Sequence, residues 1–163
     1  MPVESSRSAA GPAPDPAPAP PGRPALDAGA LHLAHGAAAV PTARRALVTS
    51  LTAARAQREL VDDAAVVVSE LLGNAMRHAE PLGDGGVLLR WRVEARAVRL
   101  EVVDGGGAGC GPAPRDAADG ATSGRGLRIV DALCSGWGSC TDDAGRHTVW
   151  AVLGTQGAVP RSA

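Results

Sequence analysis

Between Leu60 and Ala79 the apolar residues recur with the period of an α-helix, and Pro81 stands just beyond, where it stops the element. At about 100° per residue, Ala64, Val68, Leu71, Leu72, Ala75 and Ala79 fall on one broad face. Asp62 and Asp63 occupy the start of the helix, where acidic side chains suit the positive end of the peptide dipoles. A helix with so wide an apolar face requires a second layer to cover it. On its opposite side Glu70, Asn74 and Arg77 project together through the i, i+4, i+7 relation. A solvated helix face would carry the same residue types, so the triplet gains meaning only from what surrounds it.

The second layer is legible downstream. In VLLRWRVE, residues 87–94, Val87, Leu89, Trp91 and Val93 share one face and Leu88, Arg90, Arg92 and Glu94 the other, the period of a strand. Val98, Leu100 and Val102 repeat the alternation, so the two segments read as an antiparallel hairpin. LHLAH, from Leu31 to His35, reads as a short strand, and Pro41 is placed to open a helix running through Ala54. A third helix from Gly126 to Cys134 and two strands, Trp137–Thr141 and His147–Leu153, complete the pattern, with no internal repeat. These elements predict an α+β domain in which about three helices cover one face of a sheet.

The 163 residues suit one such domain. Ala and Val supply most of the apolar content, with three Trp and no Phe or Tyr, so the core must be assembled from small aliphatic side chains. Residues 1–26, MPVESSRSAAGPAPDPAPAPPGRPAL, are expected to form a disordered or polyproline-like tail, because prolines remove backbone donors and large apolar side chains are scarce. The domain is expected over residues 27–155, with a flexible tail at 156–163.

Charge and composition exclude several chemistries. Net charge is −1 with basic residues scattered among acidic ones, which disfavours nucleic acid as a direct partner. All sixteen basic Lys/Arg side chains are Arg, so neither a Walker A lysine nor a lysine Schiff base is available. Cys110, Cys134 and Cys140 form no C-x-x-C pair and are expected to be small core residues of a cytoplasmic protein. No apolar run approaches the span of a bilayer, and no secretory signal pattern opens the chain. His32 and His35 lack an evident third ligand, so a metal site there is not expected, and Trp91, Trp137 and Trp150 are expected to pack at the core or its rim.

Three segments carry candidate chemistry besides the helix triplet. Asp104 follows Val98, Leu100 and Val102 on the same strand face and is expected to point inward, where a carboxylate needs a donor: an adenine amino group, or a turn amide. Gly105, Gly106 and Gly107 allow the backbone to approach a flat ring. Residues 105–123, rich in Gly, Pro, Ala and Asp, are too long for a simple turn and have the composition of a functional lid. At its end SGRGL opens the third helix, so Gly124 and Gly126 would leave N–H groups free for phosphate oxygens, unless Ser123 caps them.

Taken in order, SELLGNAMRHAE, VVDGGGAG and SGRGLRIVDALC resemble the N-box and the two glycine boxes of the Bergerat-fold (GHKL) ATPase superfamily, over about Leu31 to Leu153. A WG strand and a closing T-V-W strand make the chain look like the anti-sigma-factor serine/threonine kinase branch. The resemblance implies a two-layer α/β sandwich with a mixed, mostly antiparallel sheet, and it implies ATP and Mg²⁺ as ligands. By position it implies that Asn74 helps hold Mg²⁺ and that Glu70 is the catalytic acid/base residue. Arg77, His78, Gly124, Arg125, Gly126 and Leu127 match positions near the phosphates, and His78 reads equally well as a packed structural His. Asp104 and Gly106 match the adenine-reading pair, and Thr148 the threonine of the last strand that supports it.

The implied partners are a sigma factor and an anti-sigma antagonist of the STAS type, and a homodimer is compatible with the resemblance. The alternative is a nucleotide-binding regulator with little transfer activity. Two departures bear on that choice: Ala108 replaces the final glycine of the expected D-x-G-x-G, and Arg146 and His147 occupy the region before the last strand where Lys is common.

Overall fold

Helix α2 (Arg58–His78) is the longest element of this computed structural model, which describes residues 27–94, 96–107 and 123–154. The tails at 1–26 and 156–163, Ala108, Cys110 and most of the lid segment lie outside the described residues, as do the side chains at 123–125. Val61, Ala64, Val67, Val68, Leu71, Leu72 and Ala75 of α2 are buried. The buried face is wider than the sequence stripe because α2 packs on the sheet and also between two other helices, α1 (Ala39–Ala53) and α3 (Ser123–Leu133). Ala79 has left the helix, with φ −106° and ψ 155°, one residue short of the expected end, and Pro81 keeps Glu80 after it out of the α region.

In α1, Ala39, Ala43, Leu47 and Leu51 recur every fourth residue and are buried. The helix starts two residues before Pro41, which therefore lies in the first turn, where its missing N–H leaves no bond unmade. Helix α3 begins at Ser123, earlier than the expected Gly126, so both of its glycines belong to the first turn.

The five strands are β1 (Asp27–Ala34), β2 (Gly86–Val93), β3 (Ala97–Asp104), β4 (Gly136–Thr141) and β5 (His147–Gly154), in the spatial order β1-β2-β3-β5-β4. Every neighbouring pair is antiparallel. Strand β1 starts four residues before the expected Leu31, because it pairs with the whole of β2, from Asp27 opposite Val93 to Ala34 opposite Gly86. Its first half carries no large apolar residue since the indole of Trp91 supplies the bulk, lying where a side chain on Gly29 would be. Trp91 Nε1 donates to Ser50 Oγ at 2.8 Å, and that hydroxyl donates to Asp27, so α1, β1 and β2 are tied at the end of the sheet remote from Asp104.

The register places Val87, Leu89, Val93, Val98, Leu100, Val102, Ala151 and Leu153 on the helix-facing side, each at most 1% exposed. Each fully buried Leu or Val contributes about 1.5–3 kcal/mol, so many small aliphatics do what a few aromatic rings would do elsewhere. The result is a two-layer α+β sandwich with its helices on one face. The far ends of β3 and β5 and the C-terminal end of α2 meet at one edge of it.

Candidate functional site

Two clusters form at that edge. The first is built on α2. Glu70 and Asn74 are half-buried, Arg77 and His78 exposed, and Arg77 Nη2 donates to Asn74 Oδ1 at 3.0 Å. The first turn of α3 lies against this face: a Cβ on the buried Gly126 would overlap Glu70 Oε2 and come within 3.9 Å of Asn74 Oδ1. Any side chain at 126 would displace the carboxylate, which gives the glycine a reason in space. Among the described residues Glu70 has no ion-pair partner. Gly124 and Arg125 occupy the same turn, whose first N–H groups have no partner within the helix, and Leu127 is half-buried beside it.

The second cluster is built at the end of β3. Asp104 is 2% exposed, pointing inward as the alternation requires. The donor it finds is the turn amide: Gly106 N–H bonds to Asp104 Oδ1 at 2.8 Å. Asp104 Oδ2 faces His147 Nδ1 at 3.6 Å, beyond hydrogen-bond reach. His147 Nδ1 is buried and has no hydrogen-bond partner among the described residues.

The glycine segment is clamped between two stretches of backbone. Glu80 N–H donates to Gly106 O and Gly105 N–H to Glu80 O, both at 2.8 Å, which joins the segment to the end of α2 and links the two clusters. On the other side, Gly106 has φ +77° and a Cβ there would lie 2.7 Å from the carbonyl oxygen of Gly145. Only glycine meets both demands.

Thr148 does not join this cluster. Asp104 pairs with His147 and Val103 with Thr148, and directly paired residues of an antiparallel ladder share a face. Thr148 therefore lies on the outer face of the sheet, and His147 is the β5 residue beside Asp104. Its signal was present in the sequence: His147 stands an even number of residues before Val149, Ala151 and Leu153. His32, on the outer face of β1, pairs with Asp84 at 2.9 Å. A depression of about 450 Å³ lined by Trp91, Arg90, Arg92, Arg99 and Glu101 lies apart from both clusters and holds none of their residues.

Comparison with known proteins agrees with this fold. The crystal structure of the RsbU and RsbW domains of Rv1364c from Mycobacterium tuberculosis is similar in fold, with a TM-score of 0.59 at 21% identity. The match covers 78% of this chain, which spans only 31% of that longer one. No curated protein matches. Residues 33–152 match the model of the histidine kinase-like ATPase domain, a stretch that includes both clusters and all of α1, α2, β2 and β3. The chain belongs to the histidine kinase-like ATPase domain family.

Proposed function

We propose that the chain binds Mg·ATP across the two clusters and acts as an anti-sigma-factor-type serine/threonine protein kinase, phosphorylating a STAS-domain antagonist and controlling transcription by partner switching. The observation that carries this reading is the seating of Gly126 over Glu70 and Asn74, which puts a helix N-terminus, an acid and an amide at one point. The residues fit the ligand. Asp104 keeps one carboxylate oxygen clear of the turn amide, and glycine at 105 and 106 lets the segment pack directly on the backbone of Pro81 and Gly145 beside it. Mg²⁺ takes few protein ligands and keeps phosphate oxygens and water, so in this reading one amide oxygen on Asn74 is a sufficient protein donor.

In this reading Asn74 Oδ1 supplies the protein oxygen for the cation, and Arg77, His78, Arg125, Leu127 and the N–H groups of Gly124 and Gly126 surround the phosphates. Asp104 and Gly106 hold the base. Bound Mg·ATP supplies the transferable phosphoryl group with its charge partly neutralised. Glu70 accepts the proton of the attacking Ser or Thr hydroxyl. Because Glu70 and Asn74 stand one turn apart on a rigid helix, proton acceptor and cation ligand keep a fixed separation.

Labelled ATP, Mg²⁺ and a panel of STAS-domain proteins test the proposal. Transfer to one of them should be lost in Glu70→Gln while ATP binding persists. A wild-type chain that binds ATP yet labels no protein in the panel would count against the kinase and leave the regulator.

A further inference from the structure

We infer that Arg77 and the divalent cation are alternative partners of one oxygen, Asn74 Oδ1, so that Arg77 sets how strongly nucleotide binding depends on the cation. The inference rests on the Mg·ATP reading and adds to it a regulation of the same site.

Arg77 stands three residues after Asn74, on the same face of α2, and its Nη2 donates to Asn74 Oδ1 at 3.0 Å. Gly73 makes the room for that pose. It lies in the interior of α2 without a positive φ, so its backbone has no need of glycine, and inside a helix glycine is less favourable than alanine. Beyond its chain neighbours and the surrounding turns of helix backbone, the three atoms nearest a Cβ on Gly73 all belong to the Arg77 guanidinium: Nη1 at 3.1 Å, Nη2 at 3.5 Å and Cζ at 3.6 Å. Alanine there would crowd that group. Among the described residues Arg77 has no carboxylate partner, so its charge rests on a neutral amide oxygen, a weaker acceptor than a carboxylate.

Electrostatics makes the two partners exclusive. An amide oxygen has two lone pairs, but a guanidinium and a divalent cation sharing it would hold like charges a few ångströms apart, where they repel strongly. With the cation on Oδ1, the guanidinium is released toward the phosphates. With no divalent cation, the guanidinium stays on Oδ1 and supplies positive charge beside the phosphates, in part replacing the cation. Nucleotide binding by the wild-type chain therefore depends less on the cation than it would with Asn74 unengaged.

Calorimetry on the full chain, with ATP in Mg²⁺ and with ATP in excess EDTA, gives the ratio of the two affinities. Gly73→Ala crowds the pose over residue 73, keeps the guanidinium for the phosphates and favours helix. Taking one charged hydrogen bond out of competition should raise the ratio of Mg²⁺ to EDTA affinity at least about threefold. Arg77→Met should raise it further, since the EDTA arm also loses a positive charge. An Arg77 that served the phosphates alone would leave the ratio in Gly73→Ala at its wild-type value, so an unchanged or lower ratio in either variant overturns the inference.

Should Gly73→Ala not fold, nitrogen NMR of the nucleotide-free wild-type chain decides. The Arg77 Nε resonance, assigned by its loss in Arg77→Met, should move in Asn74→Ala, where the acceptor oxygen is gone, and a signal identical in the two chains overturns the proposal. The two readings fail separately. A wild-type chain that binds ATP in neither buffer removes the ATP reading and this one with it. Mg·ATP binding that is lost in Asp104→Ala, with a ratio indifferent to residue 73, removes this one alone.

Discussion

Gly106 and Gly145 offer an internal control for how the candidate site is held. Their φ values are nearly the same, +77° and +79°, but a Cβ on Gly106 would lie 2.7 Å from the Gly145 carbonyl oxygen, whereas a Cβ on Gly145 meets nothing within 4 Å. Gly145→Ala therefore carries only the left-handed penalty, about 1–2 kcal/mol, less about 0.4–1 kcal/mol gained from a less flexible unfolded chain. The net loss is about 1 kcal/mol. Gly106→Ala carries the same penalty and must also push backbone apart in a segment pinned by two bonds to Glu80 and one to Asp104. Overpacking of that kind adds about 1–3 kcal/mol. Thermal unfolding without nucleotide reads the difference, at roughly 3–5 °C per kcal/mol for a domain of this size. Gly106→Ala should melt several degrees below Gly145→Ala. Equal losses would refute the claim that close approach, and not φ alone, requires glycine at 106.

Further outcomes follow from the same geometry. Mg·ATP at about a hundred times its dissociation constant should stabilise the wild-type chain by about 2.7 kcal/mol, and Asn74→Ala or Asp104→Ala should each abolish the accompanying rise in melting temperature. Leu72→Ala, at a position with no exposed surface, should cost about 2–5 kcal/mol in urea unfolding, and a loss below about 1 kcal/mol would mean the α2 face is not the core. Burial, with Asp63 and Asp131 nearby, pushes the Cys134 thiol up to about 11 from 9.0. At about pH 8 it should thus alkylate roughly a hundredfold more slowly than in the urea-unfolded chain. The Arg146 side chain holds the Asp142 carboxyl below its ordinary value, helped by the Arg146 and Ala144 N–H groups. A depressed folded pKa gives stability that is present above the unfolded value and lost as pH falls through the folded one, so Asp142→Asn should flatten the acid side of the melting profile.

Much of the fold was legible because its elements are regular. The α2 stripe and the alternation in β2 and β3 each bury one face, and burial writes its own period into the sequence. The legibility failed where bulk came from elsewhere. Ala28, Gly29 and Ala30 read as nothing in particular because Trp91 fills their share of the layer. The start of α3 is hidden in the sequence because two glycines argue against helix, whereas the structure uses Gly126 for closeness to Glu70 rather than for propensity.

The same distinction separates the two halves of the candidate site. Glu70, Asn74 and Arg77 could be grouped from one helix, since i, i+4 and i+7 fix their faces without any partner. Asp104 could be turned inward from its own strand. Which β5 residue joins it depends on two strands at once, and a shift of one residue exchanges every face. Strand β5 has clear parity, because Val149, Ala151 and Leu153 must all face the helices to build the core. Extending that parity two residues back places His147 beside Asp104 and turns Thr148 away from it. Thr148 is matched by its place in a motif, whereas the face of the sheet on which each residue lies follows from the core. Where the two criteria disagree the core decides, since moving Thr148 inward would carry Val149, Ala151 and Leu153 out of it.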